Sequence, residues 1–501
     1  MNSLYELKGV LVSNNINQKV GKATAWSSIT EIMAKLISPI VNMVLARLLA
    51  PEAFGVVATI TMVISFAEIF TDAGFQKYLI QHEFKNEDDL NKSTNVAFWT
   101  NLSISVVACT VIFIFRHQIA NLVGNPQLGG SISIASILII IAAFSSIQMA
   151  RYKRAFDFKT LFFVRIGTSL IPLVVTIPLA IVLRNYWAIL IGNFASHLFN
   201  AIVLTVKSKW TPKFYYNWML FKEMFSFSAW TLLESISIWL TTYIGVFIVG
   251  NYLNDYYLGL YKTSMTTVNS YMAIITAAIT PVLFSTLSRC QNDDNEFRKV
   301  YYTFQRFVAV FVIPMSIGIF IYRDLVTKIL LGSQWMEASG FIGLWGLMSG
   351  FTIVFSHFSS EVYRSKGQPK ISLLSQLIHL AFLIPILMVT VLHGFETLYV
   401  ARSLARVQGI ITALIIMRIC FHFKFFDILK NVFPAIASAG VMGLVGFFLQ
   451  QLHSHIIWQI FSILICIVVY FAVLFVCFPK IRKEIVASSY VKKLQHKFLK
   501  R

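Results

Sequence analysis

Leu161–Leu183 reads LFFVRIGTSLIPLVVTIPLAIVL. The pair Arg184-Asn185 follows, then Tyr186–Val206, YWAILIGNFASHLFNAIVLTV, and then Lys207–Lys222, KSKWTPKFYYNWMLFK. Two apolar runs, each long enough to cross a hydrocarbon core that takes about 20 residues, are joined by a turn with one cation. They end in a polar segment with four lysines. Lys and Arg resist translocation, so such a hairpin places its basic segment on the cytoplasmic side. Read outward in both directions, the pattern repeats to about fourteen spans. They are Thr24–Leu49, Ala53–Phe75, Thr94–Phe115, Gly129–Met149, the two quoted, Met224–Val249, Leu258–Leu287, Val300–Tyr322, Ala338–His357, Ile371–Leu392, Leu398–Ile419, Ile428–Leu449 and Ile456–Phe478.

The alternation holds along the chain. Of the 42 Lys and Arg residues, 31 fall on the side shared by the termini. Four (Arg116, Arg184, Arg323 and Lys328) fall on the other, and seven lie inside spans. A wrong span count would scramble this sorting. An apolar content of 57%, a charged content of 13% and a mean hydropathy of +0.71 exclude a soluble globular protein. The net charge of +20 flanks apolar spans and forms no soluble basic domain, so it points to anionic lipid and not to nucleic acid. The first 21 residues lack an apolar core ending in a cleavage site, so no cleavable signal peptide is expected. The five cysteines fall in spans or at cytoplasmic ends, without metal-ligand spacing, and neither metal nor cofactor is expected.

The expected fold is therefore all-α, a polytopic membrane bundle of two pseudo-symmetric halves around a central cationic cavity. A cytoplasmic segment, 1–22, precedes an N-terminal lobe, 23–206. A linker, 207–222, leads to a C-terminal lobe, 223–419, then two further spans, 420–479, and a basic amphipathic tail, 480–501. An internal echo supports two halves. At an offset of 204, Ala25-Trp26 falls on Ala229-Trp230, Leu49 on Leu253 and Gly55 on Gly259. At an offset of 211, Tyr152 and Lys159 fall on Tyr363 and Lys370. With an even number of spans before the repeat, the halves run parallel about an axis along the membrane normal, a plan common in secondary transporters.

Polar residues inside the spans keep helical period. Ser27, Glu31, Lys35, Ser38 and Asn42 share a face of the first span; Thr61, Ser65, Glu68 and Asp72 share one in the second. Asn193, His197 and Asn200 do so in the sixth, and Trp230, Glu234, Ser237 and Thr241 in the seventh. Intramembrane charge is costly and marks a pathway or a pairing. Glu31 with Lys35 at i, i+4 is the best structural pair. The cations Lys35, Arg47, Arg165, Lys262, Arg306, Arg402 and Arg406 outnumber the acids Glu31, Glu68, Asp72 and Glu234 by three. Such an excess calls for water or an anionic ligand. The seven cations, with Asn42 and His197, are the candidate substrate site, although His197 and His379 read more readily as helix-packing residues than as ligands or proton carriers. The four acids are the candidates for coupling to H+ or Na+.

The stretch Leu45–Gly55, LARLLAPEAFG, with Phe70–Phe75, FTDAGF, and Leu79-Ile-Gln81, resembles the N-terminal signature of the polysaccharide flippases. These belong to the multidrug/oligosaccharidyl-lipid/polysaccharide exporter superfamily, and the resemblance is to the branch that handles colanic acid, teichuronic acid and related exopolysaccharides. Arg47, Pro51, Gly55, Asp72 and Gly74 stand at the expected spacing, whereas Asn254-Asp255 replaces Ala50-Pro51 at the repeated turn. The resemblance implies transfer of an undecaprenyl-diphosphate-linked oligosaccharide to the periplasmic leaflet of the bacterial inner membrane, with polysaccharide-assembly proteins as partners. A peptidoglycan-precursor flippase and a multidrug exporter of the same superfamily are the alternatives. A membrane polymerase, ligase or acyltransferase is a further one, but no large loop for catalysis is present, so no enzyme is expected.

Overall fold

The computed structural model describes residues 26, 30, 33–72, 74–208, 210–479 and 481–482, with the side chains of Asp72, 226–231, Ala278 and Pro369 excepted. The N-terminal segment and all but the start of the basic tail lie outside them, as does Glu31. Every described element is helical. A first helix, α1 (33–48), is followed by α2 (Pro51–Asp72), α3 (Phe75–Gln81), α4 (Glu87–Ile114), α5 (Arg116–Leu122) and α6 (Gly129–Arg154). Next come α7 (Phe158–Ile171), α8 (Ile177–Leu183), α9 (Trp187–Lys207), α10 (Trp218–Tyr252), α11 (Asp255–Arg289), α12 (Asp294–Ile321) and α13 (Arg323–Leu330). The chain continues through α14 (Ser339–Thr352), α15 (Ser359–Ser365), α16 (Pro369–Thr390), α17 (Phe395–Phe421), α18 (Phe425–Leu452) and α19 (Ile456–Cys477).

Among the described residues, 12 helices are long and apolar enough to span a membrane, or 13 when the broken pair within α11 counts as one. The first expected span overlaps undescribed residues. The chain is a polytopic membrane protein. Many large apolar side chains, Val174, Val206 and Phe448 among them, are exposed on the helices, as an exterior that meets lipid requires. The helices that follow basic loops start at side-chain caps. Asn86 caps α4, Asp157 caps α7, Asn217 caps α10 and Asp293 caps α12, each carboxyl or amide oxygen accepting a backbone N–H that no turn would otherwise satisfy. Basic residues close the last turns of α6, α9, α11 and α17, where they complement the helix dipole.

The chain forms two compact units. The first comprises the residues up to Ala278 with Ile384–Leu398; the second comprises Ile279–Leu383 with the residues from Tyr399 onward. In the first, α4 packs along a serine-rich face of α6, where Asn101 Nδ2 donates to Ser146 Oγ at 2.6 Å. Small polar residues let membrane helices approach closely and satisfy one another there. In the second, α12 packs between α14 and α18, and α18 on α19. Pro314 removes an N–H from α12, and the carbonyl of Val310 that it would have served accepts the Tyr470 hydroxyl of α19 at 2.7 Å.

The 204-residue echo has a physical counterpart inside the first unit. A Cβ placed on Gly55 would lie 3.0 Å from the backbone N of Gly259 and against the carbonyl of Asp255. One on Gly259 would press on the carbonyl of Pro51. Asp255 is the repeat partner of Pro51, and Gly259 that of Gly55. The contact is thus reciprocal, as a local two-fold axis between the starts of α2 and α11 requires. Only glycine lets the two backbones meet.

Candidate functional site: intramembrane cations on aromatic faces

In the second unit, Arg402 and Arg406 lie one turn apart on α17 and face Trp345 of α14. The Arg406 guanidinium carbon is 3.4 Å from the ring centroid and that of Arg402 is 5.1 Å away. Arg406 Nη1 donates to Ser349 Oγ, and that hydroxyl donates to the Trp345 carbonyl at 2.6 Å. Trp345 and Arg402 are buried; Arg406 is half-buried. Beside them His379 Nδ1 meets Gln408 Oε1 at 2.9 Å, and Gln408 Nε2 donates to Thr412 Oγ1 at 2.7 Å, so His379 serves packing between α16 and α17. A guanidinium over an indole face gains most where water is excluded. A planar guanidinium can stack by its face and bind an anion by its edge.

The first unit repeats the device. Lys262 Nζ of α11 sits 4.6 Å above the Tyr243 ring of α10, and among the described residues it makes no salt bridge. Tyr243 lies 5.5 Å from Trp239, whose ring packs at a tilt 4.7 Å from that of Phe66 of α2 and whose Nε1 donates to Ser65 Oγ at 3.0 Å. An aromatic ladder therefore runs from the polar stripe of α2 to Lys262. Glu68, on that same stripe, is half-buried.

The remaining candidates are dispersed. Arg165, exposed on α7, opens into a 310 Å³ cleft with Thr30, Lys153, Thr168 and Asn200, so it joins the polar stripe of α9. His197 is half-buried one turn from Asn200, Lys35 and Asn42 are half-buried on α1, and Arg47 is exposed. Arg306 donates its Nε to Asn431 Oδ1 of α18 at 2.8 Å. Glu234 pairs with Lys77 at 3.8 Å, because the short helix α3 folds back onto α10. That pairing removes one acid from the intramembrane account. Next to it, Tyr78 donates to Glu223 at 2.8 Å, and burial together with that carboxylate holds its hydroxyl well above the usual tyrosine range. Glu31 and the side chain of Asp72, two of the coupling candidates, lie outside the described residues.

Two features escape a reading by span. Trp345 was visible only as a tryptophan one turn before Ser349; nothing local says that two arginines 57 and 61 residues on will stack upon it. Glu361 is buried, 3.5 Å from Arg364, on α15. The expected tenth span stopped at His357, whereas a π-helical turn over Ile353–His357 carries the helical path onward to Ser365. Among the described residues no three His, Cys, Asp or Glu side chains converge as a metal set.

Comparison with known proteins gives these features a setting. Residues 44–340 match the family described as polysaccharide biosynthesis protein. The succinoglycan biosynthesis transport protein ExoT of Rhizobium meliloti is 24% identical over 68% of this chain and 69% of its own. The teichuronic acid biosynthesis protein TuaB of Bacillus subtilis is 20% identical over 71% of this chain and 73% of its own. Among solved structures, the lipid II flippase MurJ in an inward closed conformation superposes with a TM-score of 0.74 at 15% identity, covering 91% of this chain and 99% of that one. That likeness concerns the fold.

Proposed function

The chain belongs to the polysaccharide biosynthesis protein family, and from that premise we propose that it is a flippase for undecaprenyl-diphosphate-linked oligosaccharide repeat units. It carries them from the cytoplasmic to the periplasmic leaflet by alternating access, for exopolysaccharide or lipopolysaccharide synthesis, and makes or breaks no covalent bond. It resides in the bacterial inner membrane with both termini in the cytoplasm, the orientation that the sorting of basic residues favours.

The observation that carries this reading is the mounting of intramembrane cations on aromatic faces: Lys262 on Tyr243, and Arg402 with Arg406 on Trp345. A diphosphate is the part of the cargo least soluble in a membrane. Arginine can take two of its oxygens at once. Sugar hydroxyls suit the Ser, Thr and Asn stripes, and the polyprenyl tail stays in lipid throughout. The names of the relatives, succinoglycan transport and teichuronic acid biosynthesis, support such cargo. A cationic drug would be repelled by the same residues, which disfavours a multidrug exporter. A lipid-linked peptidoglycan precursor is the nearer alternative, and the family match favours the polysaccharide branch.

The test is reconstitution. Purified protein in vesicles should translocate a fluorescent polyprenyl-diphosphate oligosaccharide without altering it. Arg406→Ala should lower transport about ten- to a hundredfold, the cost of one buried charge-assisted contact. Normal transport by Arg402→Ala, Arg406→Ala and Lys262→Ala at normal expression would refute the cationic mechanism.

A further inference from the structure

Between α9 and α10 the described linker residues, Ser208 and 210–217, carry no helix, and the later ones run along α4. Lys213 N donates to Asn95 Oδ1 at 2.9 Å, and the Lys213 carbonyl accepts Trp99 Nε1 at 2.9 Å. Thr100 Oγ1 donates to the Tyr216 hydroxyl at 3.3 Å, and the Phe214 ring stacks on that of Trp99 with centroids 4.6 Å apart. Between Thr94 and Phe115, the limits expected for this span, α4 rises about 31 Å, which matches a hydrocarbon core of about 30 Å. Thr100 stands about 9 Å inside the first of those limits. A linker expected in the cytoplasm thus reaches the rim of the hydrocarbon. Non-helical backbone is tolerated at such depth where protein groups satisfy it, as Asn95 and Trp99 satisfy both polar groups of Lys213.

The two sides of the linker differ. Trp210 is buried, 5.7 Å from Phe98 and against the Arg151 guanidinium, and Tyr215 packs on the same core. Phe214, by contrast, is 92% exposed and Tyr216 50%, and at the start of α10 Trp218 is 58% and Met219 80% exposed. Trp218 stacks on Phe221 at 4.8 Å, which carries the aromatic face into α10. In the other direction the face is continuous with α4. Trp99, Val106 and Phe113 recur every seven residues, close to two helical turns, and share one side of that helix. Val106 and Phe113 are exposed there, as residues that meet lipid are. By stacking on Trp99, Phe214 prolongs this lipid-facing stripe towards the membrane surface. Lys213 and Lys222 stand exposed among the rings.

We propose that residues 213–222 form a belt that binds the bilayer surface, with anionic phospholipid as its partner. Phe214, Trp218 and Met219 enter the boundary between headgroups and acyl chains, where aromatic side chains are favoured. Lys213 and Lys222 lay their stems along that boundary and bring their ammonium groups to the lipid phosphates. Depth selects the occupant. A soluble protein docking on Phe214 would have to follow it to the level of Trp99, inside the span, whereas lipid is already there. On the orientation proposed above the belt lies in the inner leaflet, where anionic lipid attracts basic residues. The connection between the sixth and seventh expected spans is then held in the leaflet and does not hang in the cytoplasm.

The full chain, with its native cysteines replaced, is labelled with bimane at Phe214→Cys or Met219→Cys and reconstituted in vesicles of phosphatidylcholine and phosphatidylglycerol. Lipids brominated on the acyl chains quench from the membrane, and acrylamide quenches from water. Val107→Cys, on the exposed side of α4, and Asp88→Cys, in its exposed first turn, calibrate the two limits and show that the background folds. Brominated lipid should quench at 214 and 219 nearly as well as at 107, and acrylamide far less than at 88. At equal mole fraction, brominated phosphatidylglycerol should quench the label at 214 more than brominated phosphatidylcholine, by about fivefold in relative association for each lysine engaged. Lys213→Gln with Lys222→Gln should remove that preference and leave the depth unchanged. Acrylamide quenching at 214 and 219 equal to that at 88 would place the belt in water and overturn the proposal. Protection from both quenchers would overturn it too, because a protein would then cover the face. Equal quenching by the two brominated lipids would refute the anionic partner. Each measurement reads position and neighbours, so a failure of oligosaccharide transport would leave all of them unchanged.

Discussion

Replacing Gly55 by alanine tests the reciprocal contact at the starts of α2 and α11. The new methyl carbon would stand 2.8 Å from the Asp255 carbonyl carbon and 3.0 Å from the Gly259 nitrogen. Optimal separation for such atoms is about 3.5–4.0 Å. The obstacles are backbone on backbone, so no rotamer can yield, and the two helices must part by roughly 1 Å. A gap of that size forfeits about a quarter to a half of the dispersion contact along the line, and overpacking of this kind costs about 1–3 kcal/mol. The repeat adds a sharper requirement. Gly259→Ala, whose methyl would stand 2.6 Å from the Pro51 carbonyl carbon, should cost a similar amount. The double variant should cost less than the sum, since one separation relieves both clashes.

Thermal unfolding of the purified protein in detergent, followed by intrinsic fluorescence, is a suitable assay. Gly130 provides the control: a Cβ there meets nothing within 4 Å, so Gly130→Ala within α6 should be neutral or stabilise by about 0.5–1 kcal/mol. If Gly55→Ala and Gly259→Ala behave like Gly130→Ala, the backbone contact is not tight and the two-fold pairing of these helices is wrong. Full additivity in the double variant would refute the shared axis while leaving each clash in place.

Further outcomes can be checked separately. Cysteines at Asn251 and Gln451 should react with an impermeant thiol reagent from outside intact cells, and one at Ser208 should not; labelling at Ser208 would reverse the orientation. Trp345→Leu keeps an apolar filler but removes the π face beneath two guanidinium groups, and should lower transport while Trp345→Phe restores part of it; equal activity of both would mean that the ring serves only as bulk. Arg406→Lys should rescue only part of the loss in Arg406→Ala, because the planar fork is missing. Tyr470→Phe leaves the Val310 carbonyl without its donor and should cost about 1–3 kcal/mol by thermal unfolding; an unchanged midpoint would show that another group serves the carbonyl.

What the sequence determined by itself is whatever depends on neighbours a few residues away. The helices, their approximate limits and their number follow from apolar length, from caps such as Asn86, Asp157 and Asp293, and from basic last turns. All of these act within a turn or two of the residue concerned. The pairing of Gly55 with Gly259 was also within reach, because a repeat writes one packing problem twice into one chain. The limits of that reading show at Glu361 and Lys77. A π-helical turn extended one helix past its expected end, and a short helix folded back to bring Lys77 to Glu234. Tertiary structure alone decided which aromatic ring holds which cation: Trp345 for Arg402 and Arg406, Tyr243 for Lys262 and, in place of a ring, Asn431 for Arg306. A span's polar stripe states only that a charge must be compensated. The partner depends on which helix faces that stripe and at what height, and those are set by packing between segments distant along the chain.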